Sequence, residues 1–216
     1  DLRDKKALDQ IPTDIDLIVH LAANARVYEL VVHPDRALDN FITLFNTLEF
    51  ARKNNVKKFI FASSRESYGN IASEKLTEDM VRIGNCESPY TASKVGGEAL
   101  VTSYEQCYDI DTVIFRFSNV YGMYDDSVRV VPQFIRKARN NETLTVFGKE
   151  KCLDFTYIDD CIGGILLVIE KFDDVKNDVY NLAFGEGATL IHLAEKAIEL
   201  LKSSSAIDLQ EPRTGE

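Results

Sequence analysis

Short apolar runs alternate along this chain with longer stretches whose apolar residues recur at helical spacing. "DLIVHLAA" (16–23) is brief and continuous, which predicts a strand buried on both faces. Residues 34–55 place Leu38, Phe41, Ile42, Phe45, Leu48 and Phe50 near a 3.6-residue period, so a helix is expected, ended by Asn54-Asn55. The same reading gives a strand at 57–64, a helix at 89–108, a strand at 111–122, a helix at 130–139 and a short strand at 143–148. "DFTYIDD" (154–160) leads into an apolar helix at 161–171, followed by a strand at 178–184 and an amphipathic helix at 189–202. Strands alternating with helices imply βαβ units, and hence an α/β fold with a doubly wound, mostly parallel sheet. In such a fold ligands sit at the carboxyl ends of the strands. "HLAANA", "SSRESYG" and "RFSNVYG" all fall there.

Composition narrows the classes. The 216 residues are 45% hydrophobic and 28% charged, as expected of a globular chain rather than a disordered one. A formal net charge of −10 argues against a general nucleic-acid binder. Cys86, Cys107, Cys152 and Cys161 lie far apart with no CxxC pair, so no zinc site is expected and a reducing, cytoplasmic setting is. No apolar run approaches a membrane span, and "DLRDKKALDQ" is no signal peptide. His20, His33 and His192 share no ligand spacing; His20 reads as a core histidine at a strand end. Asp159-Asp160 read as helix-capping acids rather than metal ligands, and Asp125-Asp126 as a solvated loop.

The chemistry concentrates in "SPYTASK" (88–94). Ser88 suits a helix N-cap and Pro89 the first helical position, which puts Tyr90 and Lys94 one turn apart on one face. An isolated Tyr-x-x-x-Lys also describes a surface tyrosine beside a snorkelling lysine, so the chemistry must be weighed. A free tyrosine titrates near pH 10, and bringing it into use as a base near pH 7 takes roughly 4 kcal/mol of phenolate stabilisation. A neighbouring ammonium supplies part of that. The helix N-terminus adds about 0.3–1 kcal/mol. Gly96 and Gly97 lie mid-helix at about 1 kcal/mol each relative to Ala, which implies close approach of another element. Ser63 and Ser64 end the preceding strand, where they are candidates to hydrogen-bond a substrate hydroxyl or the tyrosine.

Taken together and in order, these motifs resemble the extended short-chain dehydrogenases/reductases, specifically the NAD-dependent nucleotide-sugar epimerases and dehydratases. "DLRD" (1–4) resembles the segment after the third Rossmann strand, "HLAANA" (20–25) the turn that lines the cofactor, and "SSRESYG" (63–69) the serine-rich segment ending in Tyr-Gly. "SPYTASK", "RFSNVYG" (116–122), "LDFTYIDD" (153–160) and "YNLAFGEG" (180–187) complete the set. The resemblance implies a Rossmann-like sheet with a small C-terminal substrate lobe, divided as a partial NAD-binding domain over 1–122 and a mainly substrate-binding part over 123–216. It implies NAD contacts from Asp1, Leu2, Leu21, Ala22, Ala23, Asn40, Ser63, Ser118, Tyr90 and Lys94. Substrate contacts are implied for Ser64, Asn119 and Phe147, the last with a core role as its alternative. Tyr90 would then be the base, Lys94 would depress its pKa beside the oxidised nicotinamide, Ser64 would orient the sugar hydroxyl, and Glu66 would be a further catalytic carboxylate. A homodimer through helices 34–55 and 89–108 follows from the same resemblance, with a UDP- or dTDP-sugar as the substrate class.

Three departures qualify these expectations. Nothing here matches the family's glycine-rich phosphate loop or its last helices, so the chain reads as an internal part of a longer enzyme whose 216 residues alone would hold NAD weakly or not at all. Leu153 stands where the family has a phosphate-binding arginine, which leaves Arg129 and Arg136 as alternatives to plain solvated charges. Arg65 and Glu66 follow Ser64 where a 4,6-dehydratase has Asp and Glu. That order favours a 4-epimerase, then a UDP-glucuronate decarboxylase, then a dehydratase. A non-catalytic nucleotide-sugar-binding chain is the reading from a different class.

Overall fold

The computed structural model describes residues 1–71 and 75–212. In chain order the elements are α1 (Lys5–Leu8), β1 (Leu17–His20), α2 (Val27–Val32), α3 (Asp35–Lys53), β2 (Lys58–Ser64), α4 (Pro89–Tyr108), β3 (Asp111–Phe117), β4 (Asn119–Tyr121), α5 (Val130–Arg139), β5 (Leu144–Phe147), β6 (Cys152–Tyr157), α6 (Ile158–Glu170), α7 (Phe172–Val175), β7 (Asp178–Leu182), β8 (Gly187–Thr189), α8 (Leu190–Leu201) and β9 (Ile207–Gln210). A 3-10 turn spans Arg65–Tyr68. The chain folds as two compact units. Of the described residues, one comprises Asp1–Phe117 and Val168–Asn181; the other comprises Ser118–Leu167 and residues 182–212.

The first unit is built on a sheet of order β1-β2-β3-β7, in which β1 pairs β2 and β2 pairs β3 in parallel. This is the parallel α/β sheet that the alternating pattern predicts. β2 and β3 are buried along almost their whole length, on both faces, which is why both read as continuous apolar runs; α3 and α4 cover the face that carries Phe59, Phe61 and Ile114. The core joins Leu44, Leu48 and Phe50 of α3 to Phe59 and Phe61 of β2, Val101 and Tyr104 of α4, and Ile114 of β3. Gly96 and Gly97 allow this contact: a Cβ on Gly96 would lie 2.6 Å from Phe41 Cζ, and one on Gly97 would lie 2.8 Å from Phe61 Cζ. The close approach expected from their mid-helix position is therefore present.

The second unit holds two small sheets, β4-β6-β8 and β5-β9. Its core gathers Phe134 and Ala138 of α5, Leu144 and Val146 of β5, Leu153 of β6, and Leu190 and Ala194 of α8. The run at 111–122 is not one strand, as its apolar pattern suggests. β3 ends at Phe117, and β4 begins at Asn119 in a different sheet. Ser118 marks the break: its N–H donates to Leu182 O (3.0 Å) and its hydroxyl turns to Asp154. The helix expected at 161–171 starts earlier, at Ile158, with Asp159 and Asp160 in its first turn, where acids favour the helix dipole. At three to six residues each, α1, α2, β8 and β9 are too short for periodicity to reveal them.

Candidate active site

α4 starts as its sequence dictates. Ser88 caps it, its hydroxyl accepting from Thr91 N at 3.1 Å, and Pro89 occupies the first turn. Tyr90 and Lys94 are both buried on the face turned toward the sheet, and Glu98 continues the same stripe one turn on. Lys94 is only 5% exposed. Its ammonium donates to Ala62 O at 2.7 Å and lies 5.2 Å from the Phe61 ring centroid and 5.8 Å from that of Tyr90. Burial drives its pKa down from 10.5 to about 8, against the opposing pull of Glu98. An exposed, snorkelling lysine would show none of this. Tyr90 packs with Leu30 and Ala37, so its ring is fixed by α2 and α3.

The end of β2 carries the next group. Ser64 is buried and its hydroxyl accepts from Glu66 N at 3.2 Å, capping the 3-10 turn. Glu66 is ion-paired with Arg65 at 2.6 Å. Ser63 is also buried, with its hydroxyl donating to Glu98. That hydroxyl, read from sequence as a cofactor contact, is thus engaged within the protein.

The loop after β1 makes a separate cleft of ≈ 220 Å³ lined by Arg3, Ala22, Ala23, Asn24, Asp39, Asn40 and Thr43. Asn40 sets its shape. Its side-chain oxygen accepts from Asn24 N (2.7 Å), while its amide donates to Asn24 O (3.1 Å) and to Ser93 Oγ (3.1 Å). Ser93 in turn donates to Tyr90 O at 2.7 Å. Asn40 therefore ties the cleft loop to the first turn of α4. Asp1 stands beside the cleft with its carboxylate held by Arg3, whose other guanidinium nitrogen reaches Asp39 at 3.0 Å. Leu2 packs on the core and its carbonyl accepts from Asn46 (2.8 Å). Leu21 is exposed and outside the cleft lining.

His20 is buried at the end of β1 and stacks on Phe59 and Phe61, each at 6.1 Å. Burial, and secondarily the Lys94 charge, push its pKa down from 6.5 to about 4. Between those values the unfolded chain binds the proton and the folded one does not. Stability is therefore full above about 6.5 and falls as pH drops toward 4, by about 3 kcal/mol. Denaturant midpoints should show this loss in the wild type, and His20→Phe should flatten it; an equally steep acid loss in the variant would contradict the assignment.

In the second unit Asp154 is the hub. Its Oδ1 accepts from Ser118 Oγ (2.5 Å), Thr156 Oγ1 (3.0 Å) and Phe184 N (3.1 Å), and its Oδ2 from Gly185 N (2.6 Å). Burial alone would raise its pKa, but these bonds outweigh burial and hold it below the usual value. Asn119 donates its side-chain amide to Asp154 O at 2.9 Å, so the polar groups of Ser118 and Asn119 both serve this hub. Phe147 is half-buried and ends β5 opposite Gln210. Leu153 is buried in the unit's core. Arg129 is the residue before α5, and the Arg136 guanidinium donates to Ser127 O.

Two residues central to the first unit are absent from the sequence-derived set: Glu98 and Arg116. Both had a signal. Glu98 repeats the Tyr90–Lys94 spacing once more, and Arg116 interrupts an otherwise apolar buried strand. Among the described residues no group of three or more His, Cys, Asp or Glu is arranged to hold a metal ion, and no helix is long and apolar enough to cross a membrane.

Residues 1–183 match the family model described as the NAD dependent epimerase/dehydratase family. The low-salt glycan biosynthesis protein Agl12 of Haloferax volcanii is 30% identical over 218 residues, covering 100% of this chain and 69% of that protein. Human dTDP-D-glucose 4,6-dehydratase is 28% identical over 197 residues, and there the match covers 89% of this chain but only 54% of the relative. Among solved structures, the UDP-glucose 4-epimerase of Thermotoga maritima with UDP-glucose superposes with a TM-score of 0.91 at 29% identity, covering 99% of this chain and 71% of that one.

Proposed function

Because the chain belongs to the NAD-dependent epimerase/dehydratase family, we propose that it is the catalytic part of a nucleotide-sugar 4-epimerase. In this reading Tyr90 takes the proton of the sugar C4 hydroxyl and later returns it, Lys94 stabilises the phenolate, and Ser64 orients the hydroxyl. NAD, when bound, supplies the reversible oxidation that makes C4 trigonal and so open to either face. The observation that carries the reading is the buried ammonium of Lys94, 5% exposed, 2.7 Å from Ala62 O and 5.8 Å from the Tyr90 ring centroid. A buried cation is costly unless a negative charge forms beside it, and a phenolate is that charge.

The residues present fit a dinucleotide. Small Ala22 and Ala23 let a ligand approach the cleft backbone, and Asn40 holds that loop against α4. Asp1, Leu2, Leu21, Ala22, Ala23, Asn40, Ser63, Tyr90, Lys94 and Ser118 make up the proposed cofactor set. Ser63 and Ser118 would act in it mainly by holding the backbone, since their hydroxyls bond to Glu98 and Asp154. The proposed substrate set adds Asn119 and Phe147. Nucleotide sugars follow from the relatives: the Thermotoga maritima enzyme is described with UDP-glucose, and the human relative is a dTDP-D-glucose dehydratase.

Epimerisation is favoured over elimination of water by the Arg65–Glu66 ion pair. Arg65 occupies the position of one dehydratase acid, and Glu66 spends its carboxylate on that arginine. Assay with UDP-glucose, UDP-glucuronate and dTDP-glucose separates the readings: the C4 epimer is expected, and a keto sugar accumulating without epimer would sink the first choice. We also propose a homodimer through α3 and α4, supported by Leu38 and Phe45, which are 60% and 40% exposed on α3. Light scattering tests it, with a monomer as the contrary result.

A further inference from the structure

Glu98 and Arg116 form an ion pair in the interior of the first unit, with side chains 11% and 5% exposed. The pair is bidentate: Arg116 Nε donates to Glu98 Oε1 at 3.0 Å and Nη2 to Oε2 at 2.8 Å. A buried ion pair is a poor way to gain stability, because desolvating both charges offsets most of their attraction, and well-packed apolar residues of like volume often do as well or better. Most of the remaining hydrogen bonds of this pair, however, go to one segment. Glu98 Oε1 accepts from the hydroxyls of Ser63 and Ser67, the latter at 3.4 Å. Arg116 Nη1 donates to Tyr68 OH at 3.1 Å, and its guanidinium lies 5.0 Å from the Tyr68 ring centroid. Tyr68 OH donates onward to Asn181 Oδ1 at 2.6 Å, and Arg116 Nη1 also reaches Glu78 O at 2.7 Å. The stretch Ser63–Tyr68 is thus pinned at residues 63, 67 and 68. Between the pins lies Ser64, which the functional reading needs in place.

We propose that Glu98 and Arg116 are positioning residues that hold the Ser63–Tyr68 segment in register with α4, so that Ser64 meets the substrate hydroxyl shared with Tyr90. The assignment rests on the epimerase reading for the identity of that hydroxyl. The clamp starts from the helix that carries the base: Glu98 stands two turns below Tyr90 and one below Lys94. One rigid helix therefore fixes the acid/base pair and, through the ion pair, the segment that orients the substrate. Precise support of this kind matters, since a misplacement of about 1 Å costs up to about 100-fold in rate.

The test separates positioning from plain stability. The double variant Glu98→Met/Arg116→Met replaces the pair by apolar side chains of similar length, leaving no buried charge unpaired. It is expected to melt near the wild type, to keep KM within about threefold, and to lose about 10- to 100-fold in kcat. Recovery of kcat together with stability would overturn the proposal. A second readout needs no turnover and so stands even if the epimerase reading fails: amide hydrogen exchange. Exchange at residues 65–69 should accelerate at least about tenfold in the double variant, while β2 and the rest of α4 stay protected; unchanged exchange there overturns the clamp. If the double variant does not fold, Ser67→Ala removes one pin and leaves the ion pair intact. Faster exchange at 65–69 in that variant supports the proposal, and unaltered exchange contradicts it.

Discussion

Tyr90→Phe is expected to lower turnover by about 10²- to 10⁴-fold and to leave the fold and the affinity for the proposed nucleotide-sugar substrate near those of the wild type. The reasoning is local. Phenylalanine keeps the ring that packs on Leu30 and Ala37, so the first turn of α4 keeps its place. Only the oxygen proposed to move the proton is removed. A general base contributes in the transition state rather than in binding, so kcat falls and KM holds. Steady-state kinetics alongside calorimetric titration of the nucleotide sugar reads both quantities. A variant with half the wild-type kcat would remove Tyr90 from the chemistry.

Lys94→Met is expected to do two opposite things: turnover falls by a similar factor and the fold becomes more stable. The sign follows from the titration. The folded pKa of Lys94, about 8, lies below the unfolded 10.5. Between those values the unfolded chain binds more protons, so stability rises with pH across that window and is withheld below it. At neutral pH the buried ammonium therefore costs up to about 3 kcal/mol, and the lost bond to Ala62 O offsets about 1 kcal/mol of the gain on its removal. A net gain of about 1–3 kcal/mol in denaturant unfolding is the expected result. A functional group that weakens the fold it sits in is common at active sites. Lys94→Met that is both inactive and clearly less stable would instead mark a structural lysine.

The magnitudes also say how much of the chemistry Lys94 carries. With the 5.8 Å between its ammonium and the Tyr90 ring centroid as only the scale of the separation, a phenolate there would gain on the order of 3 kcal/mol at an effective dielectric near 20. That is roughly two pKa units of the three that separate a free phenol from neutral pH. The helix terminus, and a cationic cofactor ring when bound, would have to supply the remainder.

Much of this was legible in the residues. The β2 and β3 runs are apolar because both faces are covered, and α4 begins at Pro89 and ends at Tyr108 because Ser88 and Pro89 start it and Asp109 adopts a left-handed conformation after it. Tyr90 and Lys94 could be paired from spacing alone, since helix geometry fixes which residues share a face. What spacing could not reveal is partnership across the chain. That Ser63 bonds to Glu98, 35 residues away, or that Asn40 reaches Ser93, 53 away, depends on how strands and helices stack. The break at Ser118 was hidden for the same reason: its cause, Asp154, lies 36 residues downstream. Local pattern paired Tyr90 with Lys94, and tertiary contacts supplied the hydrogen bonds and ion pair around them.

The central claim is that Lys94 makes Tyr90 a usable base. It is tested most directly by the phenolate difference spectrum between the wild-type protein and Tyr90→Phe, titrated from neutral into alkaline pH, and repeated in the Lys94→Met background. A Tyr90 midpoint at least about one unit below the ordinary value near 10 is expected, returning to that value or above it when Lys94 is methionine. A midpoint at or above 10 that does not move with Lys94 would contradict it.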